Sequence, residues 1–83
     1  MDAVASNIAQ YIIDELLYAE PVEQLDADAE LLASGMLDSM ATAQLMVHLE
    51  SEFTIKLQPT DLTFDNFNTI AALTAMVDRY RSA

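Results

Sequence analysis

The chain has no cysteine and no tryptophan, and its 83 residues include one glycine, Gly35, and two prolines, Pro21 and Pro59. Without cysteine there is no disulfide staple, no thiolate metal site and no thiol nucleophile. With so little glycine and proline, tight turns are few and long uninterrupted segments must dominate, which favours helices. Basic residues are scarce too: Lys56, Arg79 and Arg81 stand against 14 acids, a formal charge of −11 at pH 7. Such a surface repels nucleic acid and anionic membranes and draws basic partners, although acidity also serves solubility alone. No apolar run approaches the roughly 20 residues of a membrane span. Residues 1–10 lack the basic opening of a secretory leader and already include Asp2. The expectation is a cytoplasmic, monomeric protein with one domain over residues 1–83, no membrane insertion and no nucleic-acid partner.

What is present is helical periodicity. Val4, Ile8, Ile12 and Leu16 recur every fourth residue, with Tyr11 and Ile13 widening the stripe, and predict a first helix over residues 2–18 that Pro21 stops. Residues 21–37 show no sustained period and read as a long loop plugged into the core by Leu25, Leu31 and Leu32. A structureless loop of that length in a small domain calls for a functional reason. Asp38 is a good N-cap for a second helix, Ser39–Phe53. Pro59 ends the next connection, Thr63 caps a short helical turn holding Phe64 and Phe67, and Thr69 caps a last helix over residues 70–81. On that helix Ile70, Leu73, Val77 and Tyr80 share a face, and Arg79 and Arg81 suit the negative end of the macrodipole. The fold class is all-α: three longer helices, one short helix and a long first loop.

On a helical wheel the second helix has two apolar stripes. Thr42, Leu45, Met46, Leu49 and Phe53 form the core face, while Met40, Ala43 and Val47 gather on another, near Ser39 and edged by Gln44, Glu50 and Ser51. The smaller stripe is either a second packing face or a docking strip beside an acid rim. Ser39 opens the helix at its positive end, where a phosphate ester would meet free backbone N–H groups. Taken alone, Asp38-Ser39 is better explained by capping.

Serine chemistry of its own is untenable for this chain. The one histidine, His48, lies nine residues along the same helix and about half a turn round from Ser39. We expect His48 to be an exposed surface residue. Asp26, Asp28 and Glu30 imitate the start of a calcium loop, but Leu31 stands where that loop needs glycine and Leu37 where it needs glutamate. No metal site and no enzymatic activity are expected. Met46 and Met76 read as core filler, and Met36 and Met40 as adaptable surface flanking Ser39.

The stretch Leu31-Leu32-Ala33-Ser34-Gly35-Met36-Leu37-Asp38-Ser39-Met40, followed by Leu49-Glu50-Ser51-Glu52-Phe53, resembles the acyl and peptidyl carrier proteins. In that family an Asp-Ser-Leu signature opens the second helix and a Leu-Glu-x-x-Phe pattern closes it. Ile55, the turn from Pro59 to Leu62, Thr63-Phe64-Asp65-Asn66-Phe67 and Thr69-Ile70 fall in frame with the family's later helices, so the likeness covers essentially the whole chain. It implies an acyl-carrier-like four-helix bundle with 4'-phosphopantetheine, drawn from coenzyme A, attached covalently to Ser39. Asp38 flanks that site, and Met40, Ala43, Val47 and Glu50 fall where the family meets its enzymes. The implied partners are a phosphopantetheinyl transferase, an adenylate-forming ligase or acyltransferase that loads a thioester, and downstream biosynthetic enzymes. Met40 replaces the usual leucine, and Ala41 and Gln44 replace acids common in fatty-acid carriers. Gly35-Met36-Leu37-Asp38-Ser39 is similar to the form found in stand-alone D-alanyl carriers. The resemblance therefore points to specialised biosynthesis of the polyketide or nonribosomal-peptide type, or to D-alanyl transfer. A fatty-acid carrier is the alternative within the family, and a non-covalent acidic adaptor for a basic helix the alternative outside it.

Overall fold

The computed structural model describes residues 3–17 and 24–81. The first helix, α1, spans Ala3–Tyr11 and continues as a π turn over Ile12–Leu16. Helix α2 spans Ser39–Phe53, α3 Phe64–Phe67 and α4 Ile70–Arg81, with a 3-10 turn at Pro59–Asp61 before α3. The architecture is all-α, as the periodicity requires. The expected start at Asp2 and the ending at Tyr18 and Pro21 lie outside the described residues.

The π turn departs from the regular helix predicted for this segment, and packing explains it. The Leu17 N–H donates to the Ile12 carbonyl at 3.0 Å, five residues back. That wider turn brings Ile12 and Leu17 to the same side, and both are buried. Leu45 and Leu49 of α2 meet Ile8 and Ile12 of α1, Phe67 of α3, and Ile70, Leu73, Met76 and Val77 of α4 in one hydrophobic core. Each such burial contributes about 1.5–3 kcal/mol relative to exposure. Helix α1 packs chiefly against α4. No described helix is long and apolar enough to cross a membrane.

The long loop is held at defined points. Leu25, Leu31 and Leu37 are buried, and Leu32 is half-buried. The Leu31 N–H donates to the Asn68 carbonyl at 2.6 Å, and the Leu32 and Ala33 N–H groups both donate to Asn68 Oδ1 at 3.0 Å. Ala71 N–H donates to the Ala27 carbonyl at 2.9 Å. Residues 31–35 coil into a short turn closed by Gly35 at φ +79°, a left-handed conformation in which glycine is free of Cβ strain. Leu37 N–H then returns to the Leu31 carbonyl at 3.0 Å and delivers the chain to the start of α2.

At the far end of α2, Thr54 takes a left-handed φ of 53°. The Glu50 carbonyl accepts from Thr54 and Ile55, while Glu50 Oε2 accepts from the buried Leu57 N–H at 2.9 Å. Asp61 organises the connection to α3: its carboxylate accepts from Gln58 N–H and from the Tyr80 hydroxyl of α4, and its carbonyl accepts from Asn66 Nδ2. The Tyr80 hydroxyl holds the Asp61 carboxyl below the usual carboxylate range, helped by Gln58 N–H, and that carboxylate in turn raises the Tyr80 phenol.

Removing the Asn68 carboxamide orphans two loop amides. Asn68→Ala should lower the unfolding free energy by about 1–3 kcal/mol, read from urea midpoints. Asn68→Asp, which keeps an acceptor, should lose less. Equal stability of Asn68→Ala and the parent would show that the staple contributes nothing.

Candidate functional site

Ser39 is the first residue of a 15-residue helix and is exposed. Its position follows from Asp38, which sits in extended backbone (φ −94°, ψ −174°) and caps α2. Asp38 Oδ1 accepts from the Ala41 N–H at 2.8 Å, and its carbonyl accepts from both the Thr42 N–H and the Thr42 hydroxyl. The cap thus occupies the amides of Ala41 and Thr42, whereas those of Ser39 and Met40, at the helix start, have no helical acceptor. A phosphate on the Ser39 hydroxyl fits this end of the helix, because free donors and the positive pole of the dipole lie beside it.

Ser39 opens onto a groove of about 600 Å³. Its apolar lining includes Leu37 and Phe67 together with Leu62 and Phe64, and Thr42 of α2 lines it beside Ser39. Leu62 is 52% exposed and Phe64 54%, both large apolar side chains left in solvent next to Ser39. Sequence reasoning placed Phe64 and Phe67 on one short turn without assigning either to the core or to the surface. Phe67 is buried and Phe64 is not. A short helix capped by Thr63, whose Oγ1 accepts from Asn66 N–H at 3.2 Å, has room to bury only one of them.

The sequence-predicted strip is brought to the surface as a unit. Met40 is 72% exposed and Val47 61%, with Ala43 exposed between them, so this stripe is not a packing face. Glu50 is half-buried and spends one carboxylate oxygen on Leu57 N–H, which makes it an anchor of the α2 end as well as a member of the rim. On the core face, Leu45 and Leu49 are buried, while Thr42, Met46 and Phe53 are only partly so. Arg81 lies over the Phe53 ring, 5.6 Å from its centroid.

His48 corrects the sequence expectation of a surface side chain. It is half-buried between α1 and α2, stacked on Tyr11 with ring centroids 3.8 Å apart, and its Nε2 lies 2.9 Å from Asn7 Oδ1. Burial lowers its pKa below the ordinary 6.5, partly opposed by the charge of Glu52. It packs against α1, on the far side of α2 from the groove at Ser39.

Residues 8–77 match the phosphopantetheine attachment site family, and the chain belongs to it. It is a carrier protein bearing a covalently attached 4'-phosphopantetheine arm. Over 83 residues, all of both proteins, it is 38% identical to the D-alanyl carrier protein of Streptococcus thermophilus. Over the same span it is 36% identical to the D-alanyl carrier protein of Streptococcus gordonii.

The lowered His48 pKa sets a pH dependence. Below about pH 6.5 the unfolded chain binds a proton that the folded chain resists, so stability present at higher pH is lost as pH falls through that range. His48→Gln should remove this contribution. Urea midpoints for the two proteins at about pH 8 and about pH 5.5 should therefore show a smaller acid loss in the variant. Identical pH slopes would contradict a packed, neutral His48.

Proposed function

We propose that Ser39 carries the phosphopantetheine arm and that residues 1–83 act as one carrier domain with no chemistry of its own. The observation that carries this reading is an exposed serine hydroxyl at the first position of a capped helix, open to a groove. When bound, the arm supplies a terminal thiol on which an acyl or aminoacyl group rides as a thioester. The chain's part is to present and orient. Asp38 fixes the helix start, the Ser39 and Met40 amides face the phosphate ester, and Leu62 and Phe64 give the arm an apolar wall to lie against. The base that deprotonates Ser39 comes from the transferase, since His48 is turned away and Asp38 Oδ1 is engaged by Ala41 N–H.

Partner enzymes meet Met40, Ala43 and Val47, with Glu50 at the rim. Weak, fast contacts suit a carrier that visits several enzymes, and a formal charge of −11 steers basic surfaces towards it. For cargo we favour D-alanine, activated by an adenylate-forming ligase in trans. Two features support this: the Gly35-Met36-Leu37-Asp38-Ser39 form and the D-alanyl carriers to which the chain is similar. Ala41 and Gln44 leave the docking helix short of the acids that fatty-acid enzymes read.

Incubated with coenzyme A, Mg²⁺ and a broad-specificity transferase, the protein should gain one phosphopantetheine by intact mass. Ser39→Ala should gain none while staying helical; modification that persists in this variant would refute the site. The holo-protein should then be charged by a ligase with ATP and D-alanine and extended poorly by fatty-acid condensing enzymes. Efficient elongation with no aminoacylation would overturn the cargo assignment and leave the carrier assignment intact.

A further inference from the structure

Leu62 and Phe64 stay in solvent although the groove they line also holds the buried side chains of Leu37 and Phe67. Folding inward over Thr42 and Phe67 would take both out of water, and the hydrophobic effect favours that move. Something must hold them out. Helix α3 packs chiefly on α4, so the position of the wall is set from that side. The hydrogen bonds of the connection agree. Asp61 N–H donates to the Gln58 carbonyl at 2.9 Å, and the Asp61 carbonyl accepts from Thr63 N–H and from Asn66 Nδ2, both at 2.9 Å. Residues 58–66 therefore move with Asp61, and its carboxylate accepts from the Tyr80 hydroxyl in the last turn of α4.

We propose that the Asp61–Tyr80 contact is a latch that keeps a lid open over the groove at Ser39. While it holds, Leu62 and Phe64 stand out in solvent. When it is released, residues 58–66 settle and the two side chains close over Thr42 and Phe67. A hydrogen bond to a charged carboxylate and the burial of two apolar side chains are of one order, so a small change decides between the two forms. The post of the latch is firm: Arg81, over the Phe53 ring, holds the end of α4 that carries Tyr80, and the charge of Arg79 acts on Asp61 from the same turn. Any group lying in the groove takes the space that the shut lid needs, and so favours the latched form. With an arm on Ser39, the latch keeps a place for it open between visits to enzymes. That consequence rests on the reading of Ser39 above, whereas the latch itself does not.

The test uses the full, unmodified chain and a neutral, water-soluble gadolinium chelate, which speeds the nuclear relaxation of exposed side chains. In the parent, the Leu62 methyl groups and the Phe64 ring should relax fast, and the methyl groups of buried Leu45 and Leu49 slowly. In Tyr80→Phe, Leu62 and Phe64 should lose most of that enhancement and fall to the level of half-buried Ile55, with Leu45 and Leu49 unchanged. Asp61→Ala should act in the same way. Asp61→Asn, which keeps an oxygen for the Tyr80 hydroxyl, should stay like the parent. Modification of Ser39 is read separately, by mass, so a failure there leaves the latch untouched. Leu62 and Phe64 as exposed in Tyr80→Phe and Asp61→Ala as in the parent would overturn the proposal. Exposure of Leu45, Leu73 or Met76 in both variants would overturn it too, by making the pair a plain structural contact.

Discussion

The carboxamide and carbonyl of Asn68 tie the long first loop to the junction of α3 and α4. Three consecutive loop amides, those of Leu31, Leu32 and Ala33, end on this one residue between α3 and α4. With them satisfied, Leu31 can be buried without orphaning its backbone, and Gly35 can turn the chain so that Leu37 returns to the Leu31 carbonyl. The next residue is Asp38, the cap. The place of Ser39 in space is therefore settled by the loop before it as much as by the helix after it. With Ser39 in its proposed role, this gives a long loop in so small a fold its purpose.

Helix α2 then serves three directions at once. Its core face, Leu45 and Leu49, holds it in the bundle. One flank carries Ser39 and Thr42 into the groove walled by Leu62 and Phe64, and the other presses His48 against Tyr11. Between the flanks, Met40, Ala43 and Val47 stay in solvent. A carrier needs this division. On the proposed reading, the side of the arm, the packing sides and the surface met by enzymes are separate, so that contact with one does not disturb the others.

The boundaries of α2 and α4 were legible because local chemistry marks them: Asp38 and Thr69 cap through their own side chains, onto Ala41 and Ala72. The exposed strip was visible as a second stripe, although the wheel alone left packing and docking open. What escaped was set at long range. His48 looks like a surface residue until Asn7 and Tyr11 arrive from the first helix. Asn68 reads as an ordinary helix-end residue, because the amides it serves lie 35 and 36 positions away. The π turn is hidden because Ile12, Ile13, Leu16 and Leu17 are all apolar, so the sequence period does not say which pair faces inward. The wall made by Leu62 and Phe64 was not visible because only the packing of α3 decides that Phe67 is taken and Phe64 left out.

Amide hydrogen exchange in Asn68→Ala tests most directly whether the loop positions the helix start. If the Asn68 staple holds the approach to α2, exchange should speed up at Leu32 and Ala33, and also at Leu37, Ala41 and Thr42, while the amides of Leu45 and Leu49 keep the parent's protection. Faster exchange confined to Leu32 and Ala33, with Ala41 and Thr42 as protected as in the parent, would show that Asp38 sets the place of Ser39 without help from the loop and would contradict this account.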